Sequence, residues 1–267
     1  MEITGKTKVM FVLAHPIGHV RATAVLNAHF ARAGHDIAAS PLHVHPSDLE
    51  EVLRAIRRMR NVIGFGLTIP HKIAALAYLD SRTPEAEAAG ASNFVRRSAD
   101  GSLTGHNTDG LGFVAGLRAH GVEPHGLRVL QIGAGGAGHA VAAALAAEGV
   151  GALHIVNRDR RRAESLAGRL RSFYPGTTIS TNAIGAGEAD LIVNATSLGM
   201  KPDDPLPCDL DRAGPQQVVA EVVMTPPETR FLALAATRGC RTVPGRAMLD
   251  AQMDLVTRFL VEQPALA

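Results

Sequence analysis

Short apolar runs alternate with longer amphipathic segments along most of the chain. The runs are rich in Val, Ile and Leu and predict strands at 8–14, 62–68, 128–133, 152–157, 189–194 and 218–223. The longer segments predict helices at 46–59, 110–119, 137–148, 160–172 and 229–238, with a last helix at 246–262. Because continuous apolar strands suit sheets that are covered on both faces, the alternation predicts an α/β fold with largely parallel sheets.

The length of 267 residues favours two domains. Residues 119–127 (AHGVEPHGL) interrupt the pattern with Gly and Pro just before a strong strand, which indicates a boundary nearby. We predict an N-terminal α/β substrate domain at 1–109 and a second α/β domain at 110–245. The segment 246–267 is expected to pack back on the first domain, with a cleft between the two domains.

Composition excludes several classes of protein. Hydrophobic residues make up 46% of the chain, and 27 Lys and Arg nearly balance 25 Asp and Glu, with no basic block among aromatic residues. Nucleic acid is therefore not expected as a partner, and the longest apolar stretch, 140–147, is too short to cross a membrane. Cys208 and Cys240 have no His or Cys at ligand spacing, so no metal site is predicted. The opening segment is typical of a buried strand and not of a signal peptide, so a cytoplasmic location is predicted. A small-molecule substrate and a monomeric or homodimeric state are also expected.

The segment RVLQIGAGGAGHAVAAALAAEGV carries the clearest motif. A strand runs into Gly133-x-Gly135-x-x-Gly138, and an Ala-rich helix follows. Glycines permit the tight turn and the close backbone approach that a pyrophosphate needs, and the helix start offers free N–H groups. The motif predicts a Rossmann dinucleotide-binding domain, with cofactor contacts at Gly133, Ala134, Gly135, Gly136 and Ala137.

The end of the next strand is expected to select the cofactor. A carboxylate there suits the ribose hydroxyls of NAD, whereas arginine accommodates the additional phosphate of NADP. The sequence offers Asp159 for the first role and Arg158 with Arg162 for the second. NAD and NADP therefore both stay open, and we favour NAD because Asp159 would repel a phosphate.

Two charged residues in the first half could transfer a proton. Lys72 follows a predicted strand in GFGLTIPHK, and Asp109 precedes a helix in GHNTDGLGF. An ammonium and a carboxylate at one site can move a hydroxyl proton while hydride leaves the adjacent carbon. Spacing alone favours an ordinary surface ion pair, or no pair.

Taken together, the motifs from about residue 8 to residue 262 resemble the shikimate dehydrogenase family, which reduces 3-dehydroshikimate with a nicotinamide cofactor. The resemblance rests on Thr-x-Pro-x-Lys at 68–72, Gly-Ala-x-Asn at 90–93 and Gly-x-Asn-Thr-Asp at 105–109. The glycine loop, Asn157-Arg158, NATSLGM at 194–200 and MLDAQ at 248–252 follow in the family's order.

The resemblance implies roles for individual residues. Lys72 corresponds to the proton-transferring lysine and Asp109 to its partner, while Thr68, Asn93 and Gln252 correspond to ligands of the substrate's ring hydroxyls. Taken alone, each of these three polar residues is better explained as capping a turn or bonding to backbone groups. The remaining cofactor contacts are expected at Asn157, Asn194, Thr196, Val222 and Gly245.

The chain departs from the family pattern at the substrate's acid end. Val20 and Ala22 stand where the family has a Ser-x-Ser that binds the substrate carboxylate, Phe94 follows Asn93 where the family has Thr, and Met224 replaces a Tyr. Either Arg21 turns inward to pair with the acid, or it stays in solvent and the substrate has no acid there. Alternation along the segment favours the second account.

The sequence thus predicts a nicotinamide-dependent dehydrogenase that acts on a secondary ring alcohol such as shikimate, quinate or a related cyclic polyol. A catalytically weak NAD(P)-binding regulatory protein on the same fold is the alternative. The presence of both Lys72 and Asp109 argues against it, since a protein that merely binds needs neither.

Overall fold

In the computed structural model, residues 2–18 and 20–261 are described, and the chain divides into two compact units. The first unit comprises Met1–Thr108 with Met253–Ala267, and the second comprises Asp109–Gln252. The units therefore divide at 108/109 and 252/253, and the segment 119–127 lies inside the second unit rather than at a boundary.

The first unit is built on a mixed six-stranded sheet with the order β2-β1-β3-β5-β6-β4. Its strands are β1 (Lys8–Ala14), β2 (Ile37–His43), β3 (Val62–Leu67), β4 (Ser81–Arg82), β5 (Phe94–Arg97) and β6 (Leu103–His106). Parallel pairing joins β1 to β2 and β3, whereas β5 is antiparallel to both β3 and β6. The helices are α1 (Ala22–Arg32), α2 (Leu49–Ile56), α3 (His71–Ala74), α4 (Pro84–Ala89) and, from the chain's end, α10 (Met253–Val261).

The second unit is built on a six-stranded sheet in which every strand pair is parallel, with the order β12-β11-β10-β7-β8-β9. Its strands are β7 (Arg128–Ile132), β8 (Ala152–Val156), β9 (Thr178–Ser180), β10 (Leu191–Asn194), β11 (Val218–Glu221) and β12 (Arg241–Val243). The helices are α5 (Asp109–Ala119), α6 (Gly136–Ala147), α7 (Arg160–Phe173), α8 (Arg230–Thr237) and α9 (Gly245–Asp250). Counted from β7 as the first strand, the order is 6-5-4-1-2-3, which is that of a Rossmann sheet.

The prediction of one continuous helix at 246–262 is wrong for the described residues, which end at 261. The structure breaks it into α9 and α10, because residues 251 and 252 form a turn in which the N–H of Gln252 donates to the carbonyl of Leu249. The two helices bury their apolar residues in different units. Met248 of α9 contacts α5, whereas Leu260 of α10 packs over Gly64 of β3. The predicted helix at 46–59 is also shorter: a single 3₁₀ turn at Pro46–Asp48 precedes α2.

Candidate functional site

In the first unit, Thr68 and Lys72 lie just beyond the carboxyl end of β3. The N–H of Thr68, directly after β3, donates to the carbonyl of Leu13 at 3.1 Å, and the N–H of His71 donates to the carbonyl of Thr68 at 2.8 Å. Half-buried Lys72 follows in the first turn of α3, and its carbonyl accepts the N–H of Ser92 at 2.8 Å. These backbone bonds fix the positions from which Thr68 and Lys72 extend.

Asn93 is held at the same edge by a reciprocal pair of hydrogen bonds. Its Nδ2 donates to Oγ1 of Thr108 at 2.9 Å, and its Oδ1 accepts the N–H of Thr108 at 2.9 Å. Both side chains are buried, and the carbonyl of Asn93 accepts the N–H of Leu67. The structure therefore brings Thr68, Lys72 and Asn93 to one end of the first sheet.

In the second unit, Asp109 and Gln252 both belong to the surroundings of α5. Asp109 is the first residue of that helix and is 5% exposed, and Gln252 is 3% exposed. The side chain of Gln252 passes so close to Gly112 that a Cβ there would collide with it. Because residues three apart share a helix face, Gln252 lies on the face of α5 that carries Asp109.

The glycine loop after β7 is shaped by close backbone contacts. Gly133 has φ +114°, and a Cβ there would lie 2.7 Å from the carbonyl oxygen of Ala195. A Cβ at Gly138 would collide with the backbone of Gly133, whereas one at Gly135 would meet nothing within 4 Å. Gly135 precedes α6 and has no side chain to cap it. The open space at Gly135, beside the free N–H groups of α6, fits a pyrophosphate.

Gln131 supports this loop and was not identified from the sequence. It is fully buried in β7, and its Nε2 donates to the carbonyls of Gly133 at 2.9 Å and Gly138 at 2.8 Å. One side chain thus joins both ends of the glycine motif. The available signal was a single amide within the apolar run RVLQIG.

The end of β8 contacts the loop through Asn157. Its Oδ1 accepts the N–H of Ala134 at 3.1 Å, and its Nδ2 donates to the carbonyl of Asp159 at 2.9 Å. The carboxylate of Asp159 caps α7 by accepting the N–H of Arg161 at 3.1 Å, and it lies 3.6 Å from Nε of Arg162. Arg158 is exposed beside it.

Two further segments, one at the end of β10 and one after β11, lie near the glycine loop. In the first, Oδ1 of Asn194 accepts both the N–H and the hydroxyl of Thr196, at 3.1 and 2.6 Å. A Cβ at Gly133 would lie 2.9 Å from Cγ2 of Thr196. In the second, the N–H of Val222 donates to the carbonyl of Asn194 at 3.0 Å, and a Cβ at Gly245 would lie 2.7 Å from the backbone of Val222. These four residues, all expected near the cofactor, therefore occupy neighbouring loops.

The described residues contain no group of three or more His, Cys, Asp or Glu side chains that could hold a metal ion. Within the described ranges, no helix is both long and apolar enough to span a membrane.

Comparison with known proteins identifies the family. The model of the shikimate dehydrogenase substrate-binding domain matches residues 12–95, and that of shikimate/quinate 5-dehydrogenase matches residues 118–200. A shikimate dehydrogenase (NADP(+)) from Citrifermentans bemidjiense is 38% identical over 267 residues, covering 97% of this chain and 91% of the relative. The chain belongs to the shikimate dehydrogenase family.

Two solved structures of similar fold span nearly the whole chain. Shikimate 5-dehydrogenase from Listeria monocytogenes, in complex with shikimate and NAD, is 31% identical with a TM-score of 0.88, covering 98% of this chain and 94% of that one. The ligand-free 5-ketofructose reductase of a Gluconobacter strain is 32% identical with a TM-score of 0.86, covering 97% and 95%. The predicted α/β fold with a Rossmann sheet is confirmed, and the chain is a shikimate dehydrogenase-like oxidoreductase.

The family member described here differs from the family's pattern at the start of α1. Val20 and Ala22 are half-buried, and Arg21 between them is exposed. The Arg21 guanidinium donates to the carbonyls of Gly18 at 3.1 Å and Val20 at 3.4 Å, so it is folded back on its own loop. The N–H of His15 donates to the carbonyl of Ile69 at 3.0 Å, which joins this loop to the one that carries Thr68.

Phe94 and Met224, the other two departures, lie in different surroundings. Phe94 is 7% exposed and pairs with Gly66, and a Cβ at Gly66 would lie 3.3 Å from its ring. Phe94 thus fills the space above a glycine in the sheet and is a core residue. Met224, which follows β11, is 37% exposed.

Proposed function

We propose that this shikimate dehydrogenase-like protein is an NADP-dependent oxidoreductase that interconverts a secondary alcohol and a ketone on a polyhydroxylated substrate. The observation that carries the proposal is the convergence of Thr68, Lys72 and Asn93 at the carboxyl edge of the first sheet. That edge offers one ammonium and two hydroxyl-binding groups, which suit a substrate with several hydroxyls.

Lys72 is the proposed proton-transfer residue, with Asp109 as its partner by resemblance to the family. During oxidation, Lys72 takes the hydroxyl proton as the C–H bond of the same carbon breaks, and during reduction it returns that proton to the carbonyl oxygen. Nicotinamide, when bound, supplies the acceptor or donor of the hydride. Thr68, Asn93 and Gln252 are proposed to orient the neighbouring hydroxyls, which restricts the reaction to one carbon.

NADP is proposed as the cofactor, and the preference for NAD drawn from Asp159 is not confirmed. The Citrifermentans relative is named for NADP(+), whereas the Listeria structure contains NAD. In this chain the Asp159 carboxylate caps α7 and lies near Arg162, so both of its oxygens face groups of its own helix. Arg158 and Arg162 would hold the 2′-phosphate, as arginine suits bidentate phosphate binding.

We propose that shikimate itself is a poor substrate. The family's two serines are Val20 and Ala22 here, and Arg21 is bonded to its own loop. A carboxylate placed against two hydrocarbon side chains loses hydrogen bonds that it makes with water. The Gluconobacter relative is named for 5-ketofructose, a ketone without a carboxylate. A polyhydroxylated substrate that is neutral at this position is therefore proposed.

Absorbance of the reduced nicotinamide tests this proposal directly. Shikimate, its methyl ester, quinate and neutral cyclic polyols are incubated with NADP+ or NAD+, and the initial rates are compared. We expect turnover of a neutral substrate, with higher kcat/KM for NADP+. Dinucleotide binding without turnover of any alcohol would favour the regulatory alternative instead. A cytoplasmic location and a monomeric or homodimeric state stay predictions.

A further inference from the structure

Glu221 is a buried carboxylate to which the proposed chemistry assigns no role. It ends β11 and is 1% exposed. Its Oε2 accepts the hydroxyl of Thr229 at 2.9 Å, while its Oε1 is buried with no hydrogen-bond partner among the described residues. Burial raises the pKa of Glu221 to about 7, because the charged form loses its hydration.

Glu221 links two segments of the second unit. Thr229 precedes α8 and caps it by accepting the N–H of Leu232 at 3.3 Å, and its side chain lies against Gly199. On the other side, Glu221 is the register partner of Asn194 in the β10–β11 ladder, and the N–H of the next residue, Val222, donates to the carbonyl of Asn194 at 3.0 Å. Asn194 Nδ2 donates to the carbonyl of Leu198 at 2.9 Å, which closes the turn at 194–199. One end of this turn is the strand partner of Glu221, and the other end, Gly199, lies against Thr229, which bonds to Glu221.

That turn lies against the glycine loop. The N–H of Ala195 donates to the carbonyl of Ile132 at 2.7 Å, and Gly133 has no room for a Cβ beside Ala195 and Thr196. A displacement of the turn would therefore move the wall of the loop proposed to hold the pyrophosphate. We propose that Glu221 is a positioning residue for dinucleotide binding, acting through Thr229 and Asn194 on the turn at 194–199. This inference rests on the proposed function, since that function requires the dinucleotide.

The charge on Glu221 is expected to matter because no cation compensates it. Among the described elements packed on β11, β10 carries no titratable side chain, and Arg230 of α8 and Arg241 of β12 donate to the carbonyls of Pro202 and Gly121. The thiol of Cys240, just before β12, is neutral because burial raises its pKa. Deprotonation of Glu221 thus buries a charge with no cation beside it. The Thr229 hydroxyl still donates to the carboxylate, but a locally open state in which water hydrates the charge becomes more favourable, which loosens the turn at 194–199.

The sign of the pH effect follows from the raised pKa. A carboxyl whose pKa is higher in the folded state stabilises the fold fully below the unfolded value of 4.5, and this stabilisation is lost as pH rises through about 7. We therefore expect the melting temperature to fall between about pH 4.5 and pH 7, where only the folded state holds the proton. Dinucleotide affinity should fall from pH 6 to pH 8.5, as Glu221 of the folded protein deprotonates. A neutral glutamine of the same shape should remove that dependence.

The test compares wild type with Glu221→Gln, and with Glu51→Gln as an exposed control on α2. Calorimetry gives the Kd of NAD+, which has no 2′-phosphate to titrate, from pH 6 to pH 8.5. We expect a loss of at least threefold in affinity for wild type and the control, and less than 1.5-fold for Glu221→Gln. After correction for the intrinsic pH dependence of amide exchange, the protection factors at 194–199 should fall with pH in wild type and the control but not in Glu221→Gln.

The outcomes are separable. Parallel pH profiles in wild type and Glu221→Gln, for both affinity and exchange, would overturn the positioning role. If wild type bound neither NAD+ nor NADP+ at pH 6, the proposed function would be contradicted instead, and the exchange profile would still decide the role of Glu221 in ordering the turn.

Discussion

The glycine loop of the second unit and the loop at the start of α1 in the first unit both follow a parallel strand. They differ in whether backbone contacts or side chains determine their shape and what they can bind. The glycine loop is defined by backbone contacts, since Gly133 and Gly138 leave no room for a Cβ. The α1 start is defined by side chains, namely Val20, Arg21 and Ala22. A backbone constraint preserves the family's motif, whereas side chains can change the ligand without changing the fold.

Among substitutions in the two loops, the largest effect is expected at Gly138. Gly138→Ala places a methyl group against the backbone of Gly133, which must shift, and we expect a loss of about 1–3 kcal/mol in the free energy of unfolding. Dinucleotide affinity should fall more than tenfold. Thermal melting and calorimetry measure the two effects.

Two matched alanine variants sharpen this result. A Cβ at Gly135 or at Gly168 of α7 meets nothing within 4 Å, so neither substitution should lower the melting temperature. Gly135→Ala alone should weaken dinucleotide binding, because its methyl group enters the space proposed for the pyrophosphate. Equal affinities in both variants would remove Gly135 from the binding site.

If NADP is the cofactor, removal of Arg158 and Arg162 should weaken the binding of NADP+ but not that of NAD+. Arg158→Ala combined with Arg162→Ala should weaken NADP+ binding tenfold or more, since a hydrogen bond to a charged group contributes about 1.5–3 kcal/mol. NAD+ binding should change less than twofold. Arg160→Ala is the control, because Arg160 bonds to Glu164 at 2.8 Å in the same turn. Equal losses for both dinucleotides would show that Arg158 and Arg162 do not recognise the 2′-phosphate.

Restoring hydroxyls at the α1 start should change substrate choice. Val20→Ser with Ala22→Ser is expected to raise kcat/KM for shikimate about tenfold relative to its methyl ester, because two hydroxyls can donate to the carboxylate. Ala28→Ser, at an exposed position of the same helix, should have no effect. An unchanged ratio in the double variant would mean that this loop does not contact the acid end.

The smallest effect is expected at Arg21. Its guanidinium is exposed and bonded to Gly18 and Val20, so Arg21→Ala should leave kcat/KM within about twofold for shikimate and its ester alike. Steady-state kinetics on both substrates checks this. A large loss confined to shikimate would show instead that Arg21 binds the acid.

The sequence predicted those parts of the molecule whose structure depends on residues close together along the chain. The β7–loop–α6 unit followed from glycine spacing between a strand and a helix. Thr68 and Asn93 were expected as ligands only by resemblance to the family, and they lie at one end of the sheet because Thr68 follows β3 while Asn93 precedes β5, which is antiparallel to β3. The break between α9 and α10 could not be predicted, since it arises where Met248 and Leu260 pack in different units.

The roles of polar residues inside apolar runs could not be predicted from the sequence either. Gln131 and Glu221 bond to groups that folding brings together, so spacing along the chain does not reveal them. Phe94 shows the opposite error, in which the sequence suggests a role at the site for a residue that belongs to the core. The family pattern places Phe94 at the substrate's acid end, whereas the structure places it above Gly66 in the core of the first unit.

The central claim is that Lys72 carries the proton in a dehydrogenase reaction. The most direct measurement is the turnover rate of Lys72→Ala on the best neutral substrate, together with its dinucleotide Kd and with exposed Lys6→Ala as the control. General acid–base groups contribute about 10²–10⁴-fold. The account predicts a loss in that range with the Kd changed less than about twofold. A variant that keeps more than about a tenth of the wild-type rate would contradict it.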